Sequence, residues 1–299
     1  MTTNPQRLSL RRRDALRWLC LPALPIAAFA EAQTPSKLPR IVSVSGATTE
    51  IVYALGAESQ LVGTDTTSLY PPAALTTPKV GYMRALSAEG LLSLKPDAVI
   101  GTTESGPTVV MDQVRSAGVK VELVEADHTW GEVQRKVAAV GRATARVSQA
   151  TALQSKLDAQ WAAVLANVAT QKGRKPRAVF ILSHTATPQV AGGKTAANAI
   201  MKFAGIDNAM SSSKGFDGYR PMTAEALVAA APDLIVTTTQ GIEAAGGVDK
   251  FWARAGLNLT PAYARKSLVA LDALYLIGFG PRLPQAVTEL HLAAIKAVA

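Results

Sequence analysis

Two copies of one helix–turn–strand unit, a strand–helix pair ahead of each copy, and one long helical pattern between them predict an α/β protein. The expected architecture is two Rossmann-like lobes with parallel central sheets, joined by one long α-helix, with a ligand cleft between the lobes. A chain of 299 residues is long enough for two packed units. Its 48% hydrophobic and 18% charged residues argue for a packed core over disorder.

The first segment, residues 1–32, reads as an export address. Arg7, Arg11, Arg12, Arg13 and Arg17 sit before or beside an apolar run, Trp18 to Ala30, which is too short to span a bilayer. The run Arg12-Arg13-Asp14-Ala15-Leu16-Arg17 resembles a twin-arginine signal, and small residues place cleavage near Ala30 or Ala32. A single cysteine, Cys20, excludes an internal disulfide or multi-cysteine metal site, and because it lies inside the apolar run without a lipobox, lipid anchoring is not expected. Removing this segment takes away five Arg, Asp14 and Glu31, and the net charge falls from +9 to about +6. The remainder is expected to be a periplasmic monomer.

Residues 33–145 form the first expected lobe. Arg40-Ile41-Val42-Ser43-Val44 reads as a strand, followed by a helix from Thr48 that ends at Gly56. Gly81-Tyr82 then leads into a helix N-capped by Ser87 with Glu89 in its first turn; Pro96 stops it and the strand Ala98–Ile100 follows. Thr129 and Glu132 form a capping box ahead of Val133, Val137 and Val140. Residues 146–172 carry apolar positions at three- and four-residue steps from Val147 to Val168, a rod of about 40 Å between lobes.

The second lobe, residues 173–299, repeats the plan. Ala178–Leu182 is a strand, a helix from about Thr195 ends at Gly205, and Gly218-Tyr219 leads into a helix capped by Thr223 with Glu225 in its first turn. Pro232 stops that helix before the strand Leu234–Val236, and the Glu-to-Asp spacing is eight residues in both copies.

Enzyme motifs are poorly supported. Gly192-Gly193-Lys194-Thr195 resembles the end of a phosphate loop, but Pro188 stands where the first Gly belongs. Gly278-Phe279-Gly280-Pro281 lacks the third Gly of a dinucleotide fingerprint, and there is no Gly-x-Ser-x-Gly elbow or His-Glu-x-x-His helix. Scattered basic residues interleaved with acids give no contiguous face for nucleic acid. His128, His184 and His291 lie too far apart in sequence to suggest a multi-His cage.

The segment Lys79-Val80-Gly81-Tyr82-Met83-Arg84-Ala85-Leu86-Ser87-Ala88-Glu89-Gly90 is similar to the tyrosine loop of periplasmic heme-binding proteins that feed ABC importers. Ser43 to Val52, Ala191 to Ala197 and Gly278 to Arg282 match the same family, which belongs to the helical-backbone class of substrate-binding proteins. The lobe pattern alone is shared with cobalamin and ferric-siderophore binders, which stand as the alternative; the Gly-Tyr-x-Arg loop is the heme-specific part. The resemblance implies ferric heme as cargo, with the Tyr82 phenolate on iron, a hard anionic donor that suits Fe(III), and Arg84 hydrogen-bonded to the Tyr82 oxygen. A free phenol ionises near pH 10, so the metal and a cation are needed to favour the phenolate at neutral pH. His184, just past a strand's carboxyl end, is a candidate second iron ligand or propionate partner. Tyr219 is expected to wall the cleft, Lys79, Arg220 and Arg282 to meet propionates, and Met83 and Phe279 to line the ring. Glu89 and Glu225 are expected to dock onto an inner-membrane ABC permease.

Overall fold

The computed structural model describes residues 37–183, 187–211 and 215–298. The chain divides into Met1–Lys37 and Leu38–Ala299, and everything below concerns the second unit. The expected export segment and cleavage site, and His184, lie outside the described residues.

Two sheets organise the unit. The first is wholly parallel, in the order β2-β1-β3-β4, with β1 at Ile41–Ser43, β2 at Leu61–Thr64, β3 at Ala98–Thr102 and β4 at Lys120–Val124. The second runs β10-β9-β5-β6-β8, with β7 also paired to β5. Its strands are β5 (Arg177–Leu182), β6 (Gln189–Ala191), β7 (Asp207–Asn208), β8 (Tyr219–Pro221), β9 (Leu234–Thr238) and β10 (Leu268–Leu271). Here the expectation of parallel central sheets needs correction: β6 pairs antiparallel with both β5 and β8. The strands β5 and β6 are separated by only the six residues 183–188, too few for a helical crossover, so the chain can only turn back on itself.

Every residue of β3 and β9 is buried, as in a strand covered on both faces. Alternate side chains serve opposite layers. In the first sheet Ile41, Ala98 and Ile100 pack with Val137, Val140 and Leu157, whereas Val42, Val44 and Val99 pack with Leu91, Met111 and Val114. In the second, Ala178, Phe180, Leu234 and Val236 join Ile200, Met201, Val287 and Leu290, and Val179, Ile181 and Ile235 join Leu227, Phe251 and Trp252.

The helices that matter for the site are α1 (Gly46–Ala54), α2 (Ala88–Ser93), α3 (Thr108–Ser116), α4 (Trp130–Ala143), α5 (Val147–Ala169), α6 (Ala196–Phe203) and α7 (Ala224–Ala230). The long helix α5 has 23 residues, so it spans about 35 Å, shorter at both ends than the expected span 146–172. Ser87 and Thr223 cap α2 and α7, accepting from the Gly90 and Ala226 N–H groups. The likeness of the two copies extends beyond the motif. Lys95 and Ala231, each before its proline, both adopt positive φ, and Asp97 and Asp233 accept the N–H of Arg40 (2.8 Å) and Arg177 (3.0 Å) at the entry of β1 and β5.

The capping box at α4 forms only in part. The Thr129 hydroxyl accepts from the Glu132 N–H, but the Glu132 carboxylate accepts from the His128 N–H (2.7 Å) and turns inward to Lys136. That inward turn begins the contact between the two sheet layers. Lys136, 1% exposed, pairs with Glu132 at 2.5 Å and donates to the carbonyls of Phe279 (3.1 Å) and Gly278 (3.3 Å). A second tie joins α1 to the loop after Phe279, where Arg282 grips Glu50 with two hydrogen bonds of 2.8 and 2.5 Å. Trp130 stacks on Trp161 (4.8 Å, 5°), and Trp161 meets Phe203 edge-on at 4.9 Å.

Candidate binding site around Tyr82

The loop before α2 is shaped by what it buries. Gly81 has φ 105°, a conformation that favours glycine, and Gly218 in the second copy has φ 79°. Gly106 fastens the loop from both sides, its N–H donating to Met83 O and its carbonyl accepting from the Leu86 N–H. Met83 and Leu86 sink to 8% and 5% exposure, and the residues between them are left outside. Tyr82 is 45% exposed, so its phenol stands free of the lobe surface. Arg84 Nη1 donates to the Tyr82 phenol oxygen at 2.9 Å. On its other side Arg84 Nη2 meets Glu104 Oε1, also at 2.9 Å, with both side chains near half exposure.

Tyr219 starts β8, opposite Ala191 of β6. Its phenol lies near the backbone N–H of Ala197 in the first turn of α6, which favours the phenolate only slightly. Burial pushes its pKa up to about 12, the Glu104 carboxylate pushes the same way, and Arg84 pulls it back. Tyr219 of the second sheet is thus within electrostatic reach of the Arg84–Glu104 pair beside Tyr82. Sequence reasoning missed Glu104.

Several expected residues are engaged elsewhere. Lys79 is not a free cation for a propionate: its ammonium donates to Thr64 Oγ1 (2.8 Å), Ser68 O and Ala74 O (both 3.0 Å), which uses all three of its N–H groups. Burial, offset in part by Asp65, lowers its pKa. Arg282 is committed to Glu50 and stacks over Tyr70, with its guanidinium carbon 3.7 Å from the ring centre. Arg220 follows Tyr219 on a strand, so alternation turns it to the other face, where it covers Phe216 at 4.5 Å. Phe279, 1% exposed, belongs to the core, and Met83 anchors the loop from below, so neither offers a ring-lining surface. Glu89 and Glu225 are exposed in the first turns of their helices.

Among the described residues no group of three or more His, Cys, Asp or Glu is placed to hold a bare metal ion. The arrangement offers an exposed tyrosine whose phenol oxygen is charge-assisted by one guanidinium. No described helix is long and apolar enough to cross a membrane.

Residues 41–275 match the periplasmic binding protein family. Among solved structures, the chain resembles the periplasmic heme-binding protein BhuT in complex with two hemes, with 43% identity, a TM-score of 0.82, and coverage of 87% of this chain and 99% of that one. The apo periplasmic heme-binding protein RhuT from Roseiflexus sp. RS-1 is 37% identical at TM-score 0.83, covering 88% and 100%. An uncharacterized ABC transporter substrate-binding lipoprotein, YvrC of Bacillus subtilis (strain 168), is 30% identical over 84% of this chain and 78% of its own. A cobalamin-binding protein of Halobacterium salinarum is 26% identical over 83% of this chain and 67% of its own.

Proposed function

The chain belongs to the periplasmic binding protein family and is a substrate-binding protein of the ABC-importer type, and from that premise we propose that its cargo is ferric heme, delivered to an inner-membrane permease. The observation that carries this reading is the Tyr82–Arg84 pair, an exposed phenol with a guanidinium donating to its oxygen at 2.9 Å. When Tyr82 ligates Fe(III), that donor holds the oxygen in place and meets the charge that gathers on it. His184 is the candidate for the opposite face of the porphyrin. Tyr219, largely buried at the start of β8, forms a wall. With Lys79, Arg220 and Arg282 engaged elsewhere, the propionates extend toward solvent. The similarity to heme-binding proteins at 43% and 37% identity supports the same reading.

Export is directed by residues 1–32, and Glu89 and Glu225, one from each copy of the repeat, dock on the permease. The second reading, a cobalamin carrier, is favoured by the Halobacterium relative. Hemin and cyanocobalamin titrations of the purified protein separate the two. Hemin is expected to give a ferric tyrosinate spectrum that Tyr82→Phe abolishes, and saturable cobalamin binding without that spectrum overturns the heme assignment.

A further inference from the structure

Arg84 does not stand alone beside Tyr82. Its guanidinium is held at both ends, by the phenol oxygen of Tyr82 and by the carboxylate of Glu104, each at 2.9 Å. Glu104 lies in the turn between β3 and α3, whose backbone also secures the tyrosine loop: the next two residues are Ser105, with Oγ donating to Val44 O of the β1 exit, and Gly106, which bonds Met83 and Leu86. The backbone that carries Glu104 is therefore fixed and its side chain is the shorter of the two, while Arg84 is a long, half-exposed side chain with many rotamers of its own. We propose that Glu104 is a positioning residue for cargo binding, which holds the Arg84 guanidinium on the Tyr82 oxygen and so sets how strongly Tyr82 donates to ferric iron.

Two effects of Glu104 oppose each other. Its charge neutralises Arg84, which weakens the pull of the guanidinium on the phenolate. Its geometry removes the rotamer freedom that would otherwise let Arg84 swing into water. At half exposure, solvent already screens the charge, so an exposed pair contributes little by Coulomb attraction alone. The geometric effect is then the larger, and losing Glu104 acts like a partial loss of Arg84.

This inference rests on the heme reading, and the test separates the two. Hemin complexes of the full mature chain are prepared for wild type, Arg84→Ala, Glu104→Ala, Glu104→Gln, Glu104→Asp and Arg84→Ala/Glu104→Ala. The phenolate-to-iron charge-transfer band and the Fe(III)/Fe(II) potential are read for each. A phenolate without its hydrogen bond donates more strongly, so Arg84→Ala is expected to move the band to lower energy and the potential down. Glu104→Ala is expected to move both the same way by a smaller amount, with hemin affinity falling about two- to fivefold. The double variant is expected to match Arg84→Ala alone, since Glu104 acts only through Arg84, and Glu104→Asp to recover part of the shift, with Glu104→Gln between Asp and Ala. Shifts that are absent in Glu104→Ala, opposite in sign, or additive in the double variant overturn the role of Glu104. A wild-type complex without a Tyr82-dependent band overturns the heme reading itself.

Discussion

At Tyr219 burial raises the phenol's pKa to about 12, while its counterpart Tyr82 stands 45% exposed with a guanidinium on its oxygen. The same Gly-Tyr pair thus meets two environments, because one copy is held as an open loop and the other is drawn into β8. Tyr275 is also raised to about 12, chiefly by burial with Glu289 adding to it. Both groups keep their proton in the folded chain at a pH where the unfolded chain releases it, so the unfolded state binds fewer protons and stability falls as pH rises from about 10 toward 12. The urea midpoint is expected to drop across that window, and Tyr219→Phe to flatten the drop; an equally steep fall in the variant counts against it. The opposite sign holds at the acid end. Asp233, paired with Arg174 at 2.7 Å, has a lowered pKa. Its stabilisation is present above the ordinary aspartate range and lost as pH falls through the lowered value. Asp233→Asn is expected to remove that part of the acid sensitivity, measured as the change in urea midpoint below pH 4.

Among the elements, what could be read ahead of the structure was what depends on near neighbours in sequence. Ser87 and Thr223 cap their helices and the prolines stop them because those rules act within a turn or two. The strands β6 and β8, three residues each, carry no period of their own and exist through pairing with each other and β5. Glu104 gave no signal because it reaches Arg84 through the fold, from a turn without a recognisable spacing. Lys136 gave no signal either: it stands four residues after Glu132 on a helix, and a loop 142 residues away seals it. Burial lowers its pKa, with Glu132 opposing, and the carbonyls of residues 278 and 279 replace the water it has lost. Lys136→Met leaves Glu132 buried without its partner, and is expected to cost about 3–5 kcal/mol in urea unfolding, whereas Glu132→Leu/Lys136→Met recovers most of that. A single variant within 1 kcal/mol of wild type would show water reaching the pair.

For the molecule as a whole, the two sheet layers are tied by Lys136 to the Phe279 loop, by Arg282 to Glu50 and by the Trp130–Trp161–Phe203 stack. Ties of three kinds along one seam oppose a wide hinge motion, so hemin is expected to leave the radius of gyration in X-ray scattering nearly unchanged, and a large contraction would contradict this. Glu89 and Glu225 stand clear of the Tyr82 neighbourhood in their role: replacing both by alanine is expected to leave hemin affinity at the wild-type value and to reduce permease-dependent uptake in proteoliposomes more than either single change does. Equal uptake by the double variant rules out docking through these carboxylates. The seam also has a consequence in time. A chain emerges from its amino end, so the first sheet and α4 are made long before residues 278 and 279 exist to receive the Lys136 ammonium. Until they arrive, that charge must stay in water, even where Val137 and Val140 of the same helix can already pack on the first sheet. The central lock is therefore among the last things synthesis can finish, and a growing chain remains open along the seam for most of the time it is being made.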